Sequence, residues 1–191
     1  MKRFLKPDEI GTLQSLVGSR IVYIGGPYMP EYMAAADVVL VTESVSIEIF
    51  GEVDSLEFRG YLDDFAYFVI RKASDKLLSQ TVKSGNTNKQ FSGRRILEIK
   101  VLTEETVALL EGGQDWRDHS VVGIMFILDR GVLSISFLSH HMEVFNITEL
   151  SDGDRLDAVE EVSLRFDEDA LNTYKVARQI LTLDELRALD S

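Results

Sequence analysis

Hydrophobic residues return every second position along much of this chain, which marks strands with one buried and one wetter face. Residues 37–42 (D-V-V-L-V-T) and 45–50 (V-S-I-E-I-F) are consecutive runs rich in β-branched residues. In the second, Val45, Ile47 and Ile49 alternate with Ser46 and Glu48, so the pair reads as a hairpin. Leu56 and Phe58 mark a third run and residues 67–70 a fourth. Residues 120–128 and 132–138, with Asp129-Arg130-Gly131 between them, form the plainest hairpin pattern in the sequence. Residues 20–24 read as a buried strand stopped by Gly25-Gly26-Pro27, residues 96–101 as another, and Val159, Val162, Leu164 and Phe166 as a last one after a turn at residues 151–154.

Helical spacing occurs near both ends. Pro7, Asp8 and Glu9 open a short helix that carries Ile10, Leu13, Leu16 and Val17 on one stripe before Gly18 stops it. Ala170, Leu171, Tyr174, Ala177, Ile180 and Leu181 recur at intervals of three and four, which predicts a helix from about Asp167. Thr182 and Glu185 have the spacing of a capping box that opens a final turn through Leu189. Residues 103–110 lean to helix, and residues 73–82 show no clear period. Short helices at the ends of a mostly antiparallel sheet built from meander hairpins make an α+β protein, expected as a single domain over residues 1–191. Residues 39–50 and 127–138 match in pattern at an offset of 88, which leaves a duplicated β unit open beside the plainer reading that amphipathic hairpins resemble one another.

Composition narrows the class. A chain of 191 residues with 45% hydrophobic and 27% charged residues is long enough to bury about 70% of its unfolded surface without staples. The absence of cysteine excludes disulfides, thiolate metal sites and thiol chemistry, and fits a reducing cytoplasm. Pro7-Asp8-Glu9 interrupts the basic start where a signal peptide needs an apolar core, and the longest apolar runs fall far short of the roughly 20 residues that cross a bilayer. Neither export nor membrane insertion is expected.

Charge is unevenly spread. The net −12 divides into −6 over residues 1–70, +6 over 71–100, −4 over 101–142 and −8 over 143–191. Such a chain repels nucleic acid at long range, yet a basic patch still acts within a Debye length of about 8 Å. Lys83, Lys89, Arg94 and Arg95 lie in or beside the polar loop of residues 84–93, and Phe91 offers an aromatic face among them, the mix that holds phosphate and stacks a base. These five residues are the candidate binding site. Against it stands the possibility that Arg71, Lys72 and Lys76 pair with the acidic C-terminal segment and the loop is a plain connection.

Catalytic signatures are absent. Gly25-Gly26 follows a strand, but no G-x-G-x-x-G, no G-x-x-x-x-G-K-[ST] and no G-x-S-x-G occurs, and a tight reversal accounts for the two glycines. The adjacent acids Asp63-Asp64, Glu104-Glu105 and Glu160-Glu161 read as solvated flanks. His119, His140 and His141, with Asp118 and Glu143, cluster at the open end of the second hairpin. A three-residue loop at residues 129–131 would set His119 opposite His141. A two-residue loop at Arg130-Gly131 sets it opposite Met142 and matches apolar to apolar better. No cofactor or metal site follows. The function expected is a small, non-enzymatic binding domain with a protein as partner, whose acidic face could neutralise a basic protein. A metal-dependent hydrolase at His119, His140 and His141 is the alternative, and anion or nucleic-acid binding by residues 83–95 a weaker one.

Overall fold

The computed structural model describes residues 2–26, 28–29, 34–58, 61–110, 113–139, 142–150 and 173–189. Two sheets face each other. The larger follows the order β13 (Thr173–Thr182), β9 (Ile96–Leu110), β10 (Gly113–Leu128), β11 (Val132–Ser139), β12 (Met142–Leu150), β4 (Ala34–Ala35), β3 (Tyr28–Met29). The short β1 (Lys2–Arg3) joins β10 in parallel; among the described residues every other pairing of strands is antiparallel. The smaller sheet runs β7 (Tyr61–Lys72), β6 (Ser46–Phe58), β5 (Asp37–Thr42), β2 (Ile21–Gly25), β8 (Thr87–Asn88). One hydrophobic cluster fills the space between them, drawing Ile24, Leu40, Ile49 and Phe68 from the smaller sheet and Val101, Ile124, Phe126, Ile135, Phe137 and Phe145 from the larger. A second, small cluster of Leu102, Val122 and Met125 is separate from it, with Ile127, Val132 and Ile180 packed alongside.

Three short helices complete an α+β architecture among the described residues. Helix α1 (Pro7–Gln14) buries Ile10 and Leu13 and packs on β7, and α3 (Leu183–Leu189) buries Leu183 and Leu186 beside it. The unassigned stretch in the middle forms α2 (Asp75–Ser84). The Ser74 hydroxyl accepts the Leu77 N–H at 3.3 Å, and Gly85, at φ 73°, closes its C-terminus. The Gly25-Gly26 turn is a steric necessity. A Cβ on Gly25 would lie 2.3 Å from the Thr81 side chain, one on Gly26 would lie 2.0 Å from the Asp37 carbonyl, and Gly26 holds φ +144°.

Three expectations are corrected. Residues 103–110 belong to one uninterrupted strand, β9, hydrogen-bonded to β10 on one side and β13 on the other; ladders on both edges override the local helix preference of Glu104-Glu105. The helix expected up to Leu181 is strand β13, paired residue for residue from Thr173↔Leu109 to Thr182↔Lys100. Its alternation was masked because Ile180 packs on the small cluster and Leu181 on the main core, so successive apolar residues serve opposite faces. The β10–β11 register is neither of the two considered. Ile127 pairs with Val132 and Phe126 with Leu133, and the Leu128 N–H donates to the Gly131 carbonyl, so the connection is Asp129-Arg130. This pairing keeps the same faces together as the Arg130-Gly131 loop would; two registers that differ by two residues satisfy alternation equally, and the turn decides between them. The turn at 151–154, the strand at 159–166 and the start of the expected helix lie outside the described residues. The two similar hairpins, β5–β6 and β10–β11, belong to different sheets.

Candidate functional site

The basic loop proves to be the crossover between the sheets. Phe91 is 1% exposed, part of the main core, and Arg94 lies over its ring at 5.1 Å from the centroid. It therefore offers no face on which a base could stack. With Phe91 as anchor, residues 93–96 run along the start of β2: the Gly93 N–H donates to the Ile21 carbonyl, the Ile21 N–H to the Arg94 carbonyl, and Arg20 bridges Arg95. Immediately afterwards the Asp129 N–H donates to the Arg95 carbonyl, and β9 begins in the other sheet.

That crossover gathers cations from three separate stretches of chain. Arg94 and Arg95 come from the loop, Arg20 from the start of β2 and Arg130 from the β10–β11 turn. The Arg20 guanidinium donates to the Gly93 carbonyl at 2.5 Å, and that of Arg94 to the Arg130 carbonyl at 3.2 Å. Lys89 is exposed on the same loop. Carboxylates offset part of this charge: Arg94 is ion-paired with Glu149, and Arg20 lies 3.9 Å from Asp129. Arg95 and Arg130 are exposed and, like Lys89, have no ion pair among the described residues. Exposed apolar side chains lie among them. Val17 and Leu97 flank the paired backbone at Gly18 and Ile96, and Val22 follows Arg20 by two residues.

Lys83 is not part of this group. It sits in the last turn of α2, at the Gly25 end of β2, whereas Arg94 pairs with Ile21; four residues of strand at about 3.3 Å each separate the two ends. Elsewhere in the basic segment Arg71 is paired with Glu48 at 2.7 Å and Lys100 with Glu98 at 3.4 Å, so internal neutralisation reaches part of it. No local pattern points to Arg20 and Arg130, whose place here depends on which strand ends the crossover joins.

The histidine region resolves differently. His119 is directly opposite Glu105 of β9 and Lys2 of β1, while Ala177 of β13 continues the row beyond Glu105. Phe4 meets the imidazole edge-on, with centroids 4.8 Å apart. Burial pushes the imidazole below its ordinary value, with Arg117 and Lys2 acting the same way and Glu105 and Asp118 opposing them. Arg117 is ion-paired with Glu105 and holds that carboxyl below its usual range. Asp118 does not face the imidazole: its carboxylate accepts from Arg3 at 3.0 Å, both nearly buried, and Arg3 also donates to the Phe65 carbonyl and covers the Phe65 ring. Among the described residues no three metal-ligating side chains converge, and His140 and His141 lie outside those residues. No described helix is long and apolar enough to cross a membrane. Compared with known protein families, with curated proteins and with solved structures, the chain matches none.

Proposed function

We propose that this protein is a non-enzymatic binding domain that docks a protein partner through the crossover edge. The observation that carries the reading is the convergence of Arg20, Arg95 and Arg130 with the exposed Val17, Val22 and Leu97 on a chain of net charge −12. Arginine beside apolar side chains is the composition of protein interfaces, where desolvated guanidinium groups carry much of the binding energy. The partner surface that complements it is a carboxylate cluster next to a large apolar side chain. Nucleic acid fits less well. A polyanion meets the acidic remainder of the molecule along its length, and the aromatic needed for base stacking is buried.

The test uses a fluorescent peptide of alternating Glu and Leu, with duplex DNA as the comparison. The peptide binds the wild type with an affinity that falls as salt rises, and the triple variant Arg20→Glu/Arg95→Glu/Arg130→Glu loses at least about tenfold, equivalent to 1.4 kcal/mol. Peptide binding that is indifferent to the triple variant overturns the reading. DNA bound more tightly than the peptide, with a steep salt slope, replaces it with the polyanion alternative.

A further inference from the structure

A concave surface lies on the larger sheet, away from the crossover edge. Its floor is the cross-strand row of Glu105, His119 and Lys2, with Thr103 and Gln179 in the neighbouring register. Phe4, Ala177 and Leu189 supply apolar walls, Arg117 completes the lining, and the volume is about 250 Å³. That is just under the roughly 300–1,000 Å³ of sites for drug-sized molecules, so the occupant is small.

Local bonding shows which groups are available. Lys2 is steered over the groove because its ammonium donates to the Leu189 carbonyl, at the end of α3, at 2.9 Å, and it retains further N–H donors. Thr103 spends its hydroxyl on the Gln179 carbonyl at 3.3 Å. The Glu105 carboxylate is engaged by Arg117. The His119 side chain has no hydrogen-bond partner among the described residues, although Phe4 fixes its ring against one wall. A half-buried imidazole with unused polar atoms at the centre of a concave surface is what a ligand would satisfy.

Charge then sets the ligand's class. Arg117 and Glu105 are paired with each other and His119 is neutral around neutral pH, while the Lys2 ammonium has no carboxylate partner among the described residues. We propose that this groove binds a small organic monocarboxylate, its carboxylate between the Lys2 ammonium and the His119 imidazole and its hydrocarbon part against Phe4, Ala177 and Leu189. The site is distinct from the crossover edge, and neither depends on the other.

The probe is hexanoate, with acetate and inorganic phosphate beside it, read by the NMR signals of the His119 imidazole in the full chain. Hexanoate shifts these signals saturably and raises the pH at which the ring titrates, because a bound anion favours the imidazolium. Acetate binds more weakly for want of a tail. His119→Ala and Lys2→Met each weaken hexanoate by at least about tenfold, measured by calorimetry. Glu105→Gln tightens it by removing a like charge, a change that no structural role for Glu105 would produce. Loss of a saturable response to hexanoate in the wild type overturns the proposal whether or not the variants fold. So does binding that is unchanged in both folded variants, and so does tighter binding of phosphate than of hexanoate.

Discussion

Glu9 joins two elements with one carboxylate. The Lys6 N–H donates to Oε2 at 2.7 Å, closing the first turn of α1, and the Ile70 N–H donates to Oε1 at 3.1 Å, fixing that turn on β7. Only 4% of the residue is exposed, so water cannot replace either bond. Glu9→Ala strands two donors and is expected to cost about 2–4 kcal/mol, read from the urea midpoint, whereas Glu9→Gln keeps one acceptor and loses about half as much. A Glu9→Ala protein as stable as the wild type would show that neither bond contributes. His119 illustrates a second consequence of burial. Its folded form holds a proton less tightly than the unfolded chain, so the unfolded state takes the proton first and stability falls as pH drops below the ordinary value of about 6.5. Between about pH 7.5 and 5.5, His119→Gln should therefore lose less stability than the wild type by chemical denaturation. Equal losses would mean that the imidazole sits in water.

The elements that could be read from sequence are those whose signals are local. Pro7 and the acids behind it opened α1, and Thr182 with Glu185 announced α3. There the Glu185 N–H donates to the Thr182 hydroxyl at 3.2 Å, and the Glu185 carboxylate accepts from the Thr182 N–H at 2.7 Å and from its hydroxyl at 2.9 Å. Because α3 carries Leu183 and Leu186 into the core, its cap affects the whole fold: Thr182→Ala should cost about 1 kcal/mol. The double variant Thr182→Ala/Glu185→Ala should cost less than the sum of the singles, since each removes the same reciprocal bonds. Strict additivity would show that the two side chains act apart. Strand β13 shows the opposite case. Tyr174, Ala177, Ile180 and Leu181 satisfy a helical period, and only the long-range ladder to β9, together with the division of Ile180 and Leu181 between two clusters, makes the segment a strand. The candidate sites were hidden for the same reason. Arg94 and Arg95 stood out as charges in a polar loop, but Arg20 and Arg130 join them only through the crossover. The row of Lys2, His119 and Glu105 needs a parallel partner for β10 and a β9 register that shifts between Val121 and Gly123.

Across the whole molecule, part of what holds the two sheets in one arrangement is an aromatic contact made possible by a missing side chain. Gly51 on β6 is in register with Phe68 on β7, while Phe137 on β11 is in register with Phe145 on β12. The rings of Phe68 and Phe137 lie 4.4 Å apart, and those of Phe68 and Phe145 stack at 5.1 Å. A Cβ on Gly51 would stand 3.1 Å from the Phe137 ring and 3.1 Å from the Glu143 Cα. The ring could turn aside, but the β12 backbone cannot yield without moving the larger sheet. Gly51→Ala is thus an overpacking change expected to cost about 1–3 kcal/mol, and Phe137→Ala a cavity expected to cost about 3–5 kcal/mol. Against a total stability of about 5–15 kcal/mol, the second is a large fraction. Because both sheets draw on the same cluster, either change should lower one shared transition, with near-ultraviolet and far-ultraviolet circular dichroism losing signal at the same urea concentration. If the aromatic signal of either variant disappeared well before the backbone signal, the sheets would be stable separately and the contact between them would be a docking of finished parts. The crossover at residues 93–96, which binds β2 and then enters β9, argues for the single transition: neither sheet can come apart there without breaking the hydrogen bonds that begin the other.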